Sequence, residues 1–221
     1  MNTGAKDVLY RNRYFFLPYL IILCACIIIK VLYTRETIFF AVNARYSNWA
    51  DIVMPYVTYI GDGIAIIIIA IVLLFYSYRS SFLLITGYII TSVVAQILKY
   101  SFDMPRPKVY FSAKLDQIHF VKDMYILSTH SFPSGHTVTA FSAGMVLTYL
   151  VKNKLWGALF LVIAVLVGFS RIYLSQHFFE DVLAGSVIGT VVTVLWLSWI
   201  DRRPFLQTSR WNRGLLSRRK L

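Results

Sequence analysis

The sequence predicts an all-α, polytopic membrane protein, a bundle of six transmembrane helices, and three observations lead to this class. Of its 221 residues, 58% are hydrophobic and only 14% are charged, whereas a soluble domain carries about a quarter of its residues as charges. The apolar residues are gathered into long runs, and the mean hydropathy is +0.64. These runs lack the sustained alternation of apolar and polar residues that a membrane β-barrel requires. Helices are therefore the predicted spanning elements.

Six runs are long enough to cross a bilayer core of about 30 Å, which takes about 20 helical residues. Two connections, 77–80 and 152–154, are short enough for tight hairpins, whereas the connections 34–55 and 102–133 are long. No composition shift marks a domain boundary, so we expect one membrane-embedded domain over residues 1–221. The predicted spans are residues 14–33, 56–77, 81–101, 134–152, 155–174 and 178–200.

Lysine and arginine are distributed unequally between the two predicted sides. Thirteen of the 22 basic residues lie on the side of the two termini, and seven of these lie in the tail 201–221. The positive-inside rule therefore predicts that both termini are cytoplasmic and that the long connections face outward. A basic tail directly after a span suits the anionic lipids of the inner leaflet. This placement argues against nucleic acid as the partner that explains the net charge of +12.

The residues that commonly hold metals offer no site. Cys24 and Cys26, the only two cysteines, lie two positions apart in the first predicted span and therefore on nearly opposite faces of a helix. They cannot form a disulfide framework or a metal site. The sequence also lacks a cluster of carboxylates suited to a divalent cation. We expect neither a metal nor a cofactor, and the sequence carries no signal of the oligomeric state.

Three polar clusters fall at predicted helix ends on the outward side. They contribute three cations, Lys99, Arg106 and Arg171, from separate helix ends. Ionisable residues at a membrane edge are costly to desolvate and indicate a functional site. Fixed cations without matching acids suit an anion, and the planar fork of arginine suits phosphate oxygens. The clusters are KYSFDMPRP (99–107), FPSGH (132–136) and SRIYLSQHFFED (170–181).

Two further features complete the predicted anion site. The start of the fourth predicted helix offers unpaired N–H groups, Gly135 permits close approach of an anion, and Ser134 adds a hydroxyl donor. His177 and Asp181 lie four residues apart, on one face of a helix and within hydrogen-bond reach. A carboxylate on one imidazole nitrogen fixes the tautomer and leaves the other nitrogen free to attack. A helix break between Arg171 and His177 would bring both residues to the site.

Each of these residues has an ordinary explanation when it is taken alone. Lys99 suits a snorkelling side chain, His136 a helix cap, and Asp181 an acid that is favoured by the helix dipole. Separate explanations do not account for their convergence on one face. We expect His119 and His130 to be loop residues without a catalytic role.

The three clusters resemble the signature motifs of the type 2 phosphatidic acid phosphatase family, in its membrane lipid phosphatase branch. The family patterns are Lys, six residues, Arg-Pro; Pro-Ser-Gly-His; and Ser-Arg, five residues, His, three residues, Asp. Every fixed position and every spacing is present in this chain. The segment 43–63 is also similar to the part of the family that leads into the second span. The resemblance implies a metal-independent phosphatase with its active site at the outer membrane interface.

The resemblance also implies a role for each residue. His177 would be the nucleophile and would form a phosphohistidine, with Asp181 orienting it. His136 would protonate the leaving lipid oxygen and then activate the hydrolytic water. The residues implied to hold the phosphoryl oxygens are Lys99, Arg106, Ser134, Gly135 and Arg171.

The implied substrate is a membrane lipid phosphate or diphosphate on the outer side of a bacterial cytoplasmic membrane. Undecaprenyl diphosphate, phosphatidylglycerol phosphate, phosphatidic acid and lipid A phosphates all fit this class. A soluble phosphate ester is an alternative, as in the sugar-phosphatase branch, although that branch has more spans. A transporter of anions or lipids is a remote alternative, because it requires ionisable residues in mid-span.

Headgroup selection is expected in the long connection 102–133. Within it, residues 115–127 place apolar side chains near helical spacing, at Leu115, Ile118, Val121 and Tyr125. This pattern predicts a short amphipathic helix lying on the membrane surface.

Overall fold

The computed structural model describes residues 4–216, and this part of the chain is helical and contains no β-strand. The predicted all-α class is therefore confirmed. Two short 3-10 turns, Ser112–Gln117 and Pro204–Gln207, accompany the α-helices. The helices are α1 (Ala5–Arg11), α2 (Arg13–Leu32), α3 (Arg35–Asn43), α4 (Asn48–Tyr59), α5 (Gly63–Tyr76), α6 (Tyr78–Phe102), α7 (Pro107–Tyr110), α8 (Gly135–Leu150), α9 (Trp156–Tyr173) and α10 (Phe179–Ile200).

Length and composition identify four or five candidate membrane spans among the described residues. The helices α2, α6, α9 and α10 each qualify alone. The pair α4 and α5 qualifies together, with a bend of 54° at the break between them. The predicted span 56–77 is therefore wrong as a continuous helix, because the chain turns at residues 60–62. The predicted span 134–152 corresponds to α8, which has only 16 residues and a length of about 24 Å.

Helix α8 is enclosed by the other helices. It packs against α6, α9 and α10, and most of its side chains are buried. The main hydrophobic core forms around it, with Phe141 and Val146 of α8 beside Phe15 of α2, Leu83 of α6 and Leu197 of α10. A helix that contacts protein rather than lipid does not need to match the bilayer in length.

Two glycines of α10 allow its close approach to α8. A Cβ added at Gly189 would lie 2.5 Å from the carbonyl oxygen of Val138, and one added at Gly185 would lie 2.8 Å from that of Ser134. Small residues four positions apart are a common device for bringing membrane helices into contact. Because Ser134 belongs to the second motif, this contact also sets the distance between that motif and α10.

A buried carboxylate joins the helix ends on the side opposite the three motifs. Asp201, which follows α10, accepts hydrogen bonds from Nε and Nη2 of Arg79 and from the Tyr149 hydroxyl, the last at 2.5 Å. The guanidinium of Arg11 lies 5.0 Å from the centroid of the Tyr149 ring. The start of α6, the end of α8, the end of α10 and the N-terminal segment therefore lie at the same end of the bundle.

Part of the predicted basic tail 201–221 is docked at that end. The carbonyl oxygens of Trp211 and Arg213 accept hydrogen bonds from the backbone N–H groups of Arg79 and Tyr78, each at 2.8 Å. The last three basic residues of the tail, Arg218, Arg219 and Lys220, lie outside the described residues.

The prediction of an amphipathic helix over 115–127 is wrong. The backbone after Gln117 is irregular, since its polar groups bond to other segments. The N–H and C=O of His119 both pair with the Asn43 side chain, at 2.9 and 2.8 Å. Ile118 and Val121 are buried, whereas Tyr125 is exposed. Ile118 and Val121 thus pack beneath the connection, and the apolar side chains of this segment do not form one lipid-facing stripe.

Filling the contact between α8 and α10 should destabilise the protein. We expect Gly189→Ala to lower the free energy of unfolding by about 2 kcal/mol, because the new methyl group must displace the backbone of Val138. Thermal unfolding in detergent checks this. Val191→Ala is the matched control, since Val191 lies on the same helix with an exposed side chain. Equal midpoints for the two variants would contradict the proposed packing constraint.

Candidate active site

The candidate site lies where four helix ends meet. The end of α6, the start of α8, the end of α9 and the start of α10 bring together the segments 99–107, 132–136 and 170–181. The predicted break after Arg171 is present, because α9 ends at Tyr173 and α10 begins at Phe179. The convergence that the sequence predicted for the three motifs is therefore seen in the structure.

His177 and Asp181 are in contact, but not as residues of one helix. The Nδ1 atom of His177 lies 3.3 Å from Oδ2 of Asp181. His177 belongs to the connection before α10, so the expectation of a shared helical face is wrong. Instead, Asp181 lies in the first turn of α10, where its Oδ2 also accepts a bond from the N–H of Phe178 at 2.9 Å. This capping bond turns the connection before α10 towards the first turn of the helix, so that the His177 imidazole faces the Asp181 carboxylate.

Asp181 also fixes the segment that precedes α8. Its Oδ2 accepts a hydrogen bond of 2.5 Å from the Ser131 hydroxyl. Its backbone carbonyl accepts one of 3.0 Å from the N–H of Ser134. One residue therefore holds both the nucleophile candidate and the second motif.

Arg106 contacts the other nitrogen of His177. Its Nη1 lies 3.3 Å from Nε2 of His177 and 3.0 Å from the carbonyl oxygen of Gln176. Its Nε donates to the carbonyl of Thr129 at 2.9 Å. A guanidinium can only donate, so Nε2 of His177 carries the lone pair and Nδ1 carries the proton. This is the tautomer that leaves Nε2 available as a nucleophile.

Arg171 lies in the same cluster with a buried donor unused. Its Nη1 donates to the Thr58 hydroxyl at 2.8 Å. Its carbonyl oxygen accepts bonds from the N–H groups of Gln176 and His177. Its Nε is buried, and no atom of the described residues accepts a hydrogen bond from it. An unpaired buried donor of this kind is expected where a ligand supplies the acceptor.

Lys99, Ser134 and Gly135 border the same space. The Nζ atom of Lys99 donates to the carbonyl of His130 at 2.8 Å. The buried Ser134 hydroxyl accepts from Thr137 at 2.9 Å. Gly135 begins α8, and the nearest atom to an added Cβ would be Cε of Lys99, at 3.7 Å. The start of α8 is therefore open on the side of the lysine.

His136 has a different environment from His177. Its side chain is 30% exposed, whereas that of His177 is 2% exposed. It borders a cavity of about 410 Å³ between α5, α6 and α8, together with Lys99, Gly135 and Gln96. Its Nε2 lies 3.7 Å from Oδ2 of Asp62. Of the two histidines, His136 is the one that faces the cavity.

The electrostatics of the site favour a neutral His177 beside charged arginine. Burial lowers the pKa of His177 well below its ordinary value, and the positive charges of Arg106, Arg171 and Lys99 act in the same direction, followed by His136. Burial also lowers the pKa of Arg106 to about 10, against an opposing effect of Asp181. At neutral pH the guanidinium keeps its charge, and the imidazole keeps its lone pair.

The two remaining histidines have partners in the outer connections. His119 lies 2.8 Å from Asp51 and stacks on the Tyr46 ring at 3.8 Å. His130 lies 2.9 Å from Asp103, with its ring 4.8 Å from that of Tyr100. These contacts suit the loop positions that the sequence predicts for both.

The sequence analysis missed several residues that build the site. Ser131 lies just before the second motif and bonds to Asp181, and Gln176 lies within the third motif and bonds to Arg106. Thr58 lies in the last turn of α4, and Asp62 lies in the turn between α4 and α5. The signal for Asp62 was its position, since it is a charged residue flanked by two glycines between two long apolar runs.

A protein-family model described as the PAP2 superfamily matches residues 80–205, which are more than half of the chain. The chain belongs to the PAP2 superfamily. The family predicted from the motifs is therefore confirmed, as is the prediction of a membrane-embedded phosphatase.

Relatives and solved structures within the superfamily cover most of the chain. An undecaprenyl-diphosphatase of Sulfolobus acidocaldarius is 28% identical over 197 residues, which are 84% of this chain and 90% of that protein. The crystal structure of Aquifex aeolicus LpxE is similar with a TM-score of 0.66 and 27% identity, covering 74% of this chain and 94% of that one. A PAP2-type phosphatidylglycerolphosphate phosphatase from Bacillus subtilis gives a TM-score of 0.61 and 26% identity, covering 89% and 99%.

Acidification should destabilise the wild-type protein partly through His177. The unfolded chain binds a proton there near pH 6.5, whereas the folded protein binds it only at much lower pH, so stability falls as the pH drops below about 6.5. This group contributes up to ~1.4 kcal/mol per pH unit. We expect His177→Asn to lose less thermal stability than the wild type between pH 7 and pH 5 in detergent. Equal losses would show that His177 is protonated in the folded protein.

Proposed function

We propose that the protein hydrolyses the terminal phosphate of a membrane lipid diphosphate or phosphate, with undecaprenyl diphosphate as the first candidate. The observation that carries this proposal is the alignment of Arg106, His177 and Asp181 beside the unpaired Nε of Arg171. The arrangement presents a nucleophile and fixed cations at the end of an apolar bundle. The similarity to an undecaprenyl-diphosphatase over 84% of the chain supports the choice of substrate. Phosphatidylglycerol phosphate is the second candidate, because the Bacillus subtilis phosphatase structure covers 89% of the chain.

In the first step, Nε2 of His177 attacks the terminal phosphorus. The bond between phosphorus and the leaving oxygen breaks, and His136 donates a proton to that oxygen. The positive charge that develops on the His177 imidazole is stabilised by Asp181 through Nδ1–H. The phosphoryl oxygens are held by fixed donors, which act where negative charge accumulates. These donors are Lys99, Arg106, Ser134, the N–H of Gly135 and Arg171.

In the second step, His136 accepts a proton from water. The resulting hydroxide attacks the phosphorus of the phosphohistidine, the nitrogen–phosphorus bond breaks, and inorganic phosphate leaves. His177 returns to its neutral form. In this scheme the positive charge that faces the phosphoryl oxygens comes from three side chains, Lys99, Arg106 and Arg171. Within residues 4–216, no group of three or more His, Cys, Asp or Glu side chains could hold a metal ion.

The cavity beside His136 suits a substrate that stays anchored in the bilayer. It lies between α5, α6 and α8, with Ile64 and Ile67 on one side and Tyr88 and Gln96 on the other. A lipid chain can remain among apolar helices while its phosphate reaches the helix ends. This geometry favours a lipid over a soluble ester. The charges at the helix ends, rather than in mid-span, disfavour a transporter.

We infer that α8 is a sixth crossing, despite its length. It starts at the site, and its last turn contains Tyr149, which bonds to Asp201 at the opposite end of the bundle. Six passes place both termini on one side. The distribution of lysine and arginine then favours cytoplasmic termini and an active site that faces the periplasm or the exterior of a bacterial cytoplasmic membrane.

Purified protein in detergent should release phosphate from lipid phosphates and diphosphates in the presence of EDTA. We expect undecaprenyl diphosphate to be preferred over phosphatidylglycerol phosphate and both over glucose 6-phosphate, because glucose 6-phosphate has no lipid chain to anchor.

His177→Ala should reduce phosphate release by at least about 10⁴-fold, since no other side chain replaces the nucleophile. Asp181→Asn should keep part of the activity but lose orientation of the imidazole. Release that requires a divalent cation would contradict the mechanism.

The orientation can be measured by thiol labelling of intact bacterial cells. In a background with Cys24→Ala and Cys26→Ala, Lys114→Cys should react with a membrane-impermeant maleimide, because it lies in the exposed connection near the site. Lys152→Cys, which is exposed at the other end of α8, should react only after the membrane is permeabilised. The reverse pattern would place the site in the cytoplasm.

A further inference from the structure

The turn between α4 and α5 is pressed against the site by two glycines. A Cβ added at Gly61 would lie 2.5 Å from a methyl group of Val167 and 2.8 Å from the carbonyl oxygen of His136. A Cβ added at Gly63 would lie 2.1 Å from the hydroxyl of Tyr88. The turn therefore contacts α9, α8 and α6 closely, and the backbone oxygen of His136 leaves no room for a Cβ at Gly61. The residue between the two glycines is Asp62.

The carboxylate of Asp62 is held in one orientation. Its Oδ1 accepts a hydrogen bond of 2.9 Å from the N–H of Ile64 and so caps α5. Its Oδ2 lies 3.7 Å from Nε2 of His136. This is the distance of an ion pair, beyond that of a hydrogen bond. A proton on Nε2 is therefore stabilised by Asp62 without being bonded to it, and it stays available to a substrate oxygen.

The other charged groups around His136 oppose its protonation. Lys99 of α6 and Arg171 of α9 face it, together with Arg106 of the connection 102–133. His177 also lies close by, and its partner Asp181 is engaged by three hydrogen bonds. In the described part of the chain, Asp62 is the carboxylate within ion-pair distance of His136.

We propose that Asp62 is a positioning residue that stabilises the protonated form of the His136 imidazole for proton transfer to the leaving oxygen. The proton moves from Nε2 of His136 to the leaving oxygen as the phosphorus–oxygen bond breaks, and the next proton comes from the hydrolytic water. This inference rests on the proposed function, because it assigns a partner to the acid of that mechanism.

The role of Asp62 depends on the leaving group. An alkoxide is a strong base and leaves only when it is protonated, whereas 4-nitrophenolate leaves without a proton. Loss of a positioned general acid costs about 10² to 10⁴ in rate where the proton is needed. The effect of losing Asp62 should therefore be large for an alkyl phosphate and small for 4-nitrophenyl phosphate.

Asp62→Asn tests this, because asparagine caps a helix as well as aspartate does. We expect kcat/KM for dihexanoyl phosphatidic acid to fall by about 30-fold or more, while kcat/KM for 4-nitrophenyl phosphate falls by less than about 3-fold, because kcat/KM reports the step in which the leaving group departs. The decline of kcat/KM at high pH should also move to lower pH for the alkyl ester. The sign follows because an imidazolium without its anion loses its proton more easily. Asp62→Ser, which also keeps a cap, should show the same selective loss.

Asp51→Asn is the matched control. Asp51 pairs with His119 at 2.8 Å in the outer connections, so this variant removes the same kind of carboxylate away from the reacting atoms. It should change kcat/KM for the two substrates by the same factor. The wild type with His177→Ala as its blank tests the proposed function separately.

Three results would overturn the proposal. An equal fall for both substrates in Asp62→Asn would show that Asp62 has a structural role. Unchanged rates for both substrates would show that Asp62 has no role in the reaction. Phosphate release that persists in His177→Ala would overturn the proposed function, and the role of Asp62 with it.

Discussion

The site depends on Asp181, which bonds to three different segments. Its carboxylate accepts hydrogen bonds from Ser131 and from the N–H of Phe178, and it contacts Nδ1 of His177. Its carbonyl accepts the N–H of Ser134. His177, the start of α8 and the first turn of α10 are thus held by one residue, which lies on the helix that Gly185 and Gly189 bring against α8.

Holding several cations together in a buried site is unfavourable unless polar groups surround them. Arg106 is surrounded by carbonyl oxygens of the connections and by the His177 ring, and Lys99 is bonded to a carbonyl as well. These partners are neutral and satisfy the donors, while the nearby carboxylate of Asp181 offsets part of the positive charge. A phosphate dianion would compensate the rest and would also reach the unpaired Nε of Arg171. The charge of the proposed substrate would therefore stabilise this cluster of cations.

The sequence was sufficient for the parts of the site that local spacing encodes. The three motifs, their placement on one side and the break between Arg171 and His177 all follow from residue types and helix lengths. It was insufficient where tertiary contacts decide the backbone. The break at Asp62 lies inside an apolar run and depends on contacts with Tyr88 and Val167, which are distant in the sequence. The irregular connection at His119 depends on Asn43 in the same way. Hydrophobic periodicity cannot report such contacts.

The candidate site contains two histidine–carboxylate pairs whose surroundings separate their proposed functions. His177 is buried, contacts Asp181 through Nδ1 and directs Nε2 towards Arg106, which suits a neutral nucleophile. His136 is partly exposed, faces the cavity and has Asp62 at ion-pair distance from Nε2, which suits a proton carrier. The same two side-chain types can thus perform opposite tasks, because burial and the geometry of the carboxylate differ. On this argument the turn between α4 and α5 belongs to the catalytic apparatus as much as the three motifs do.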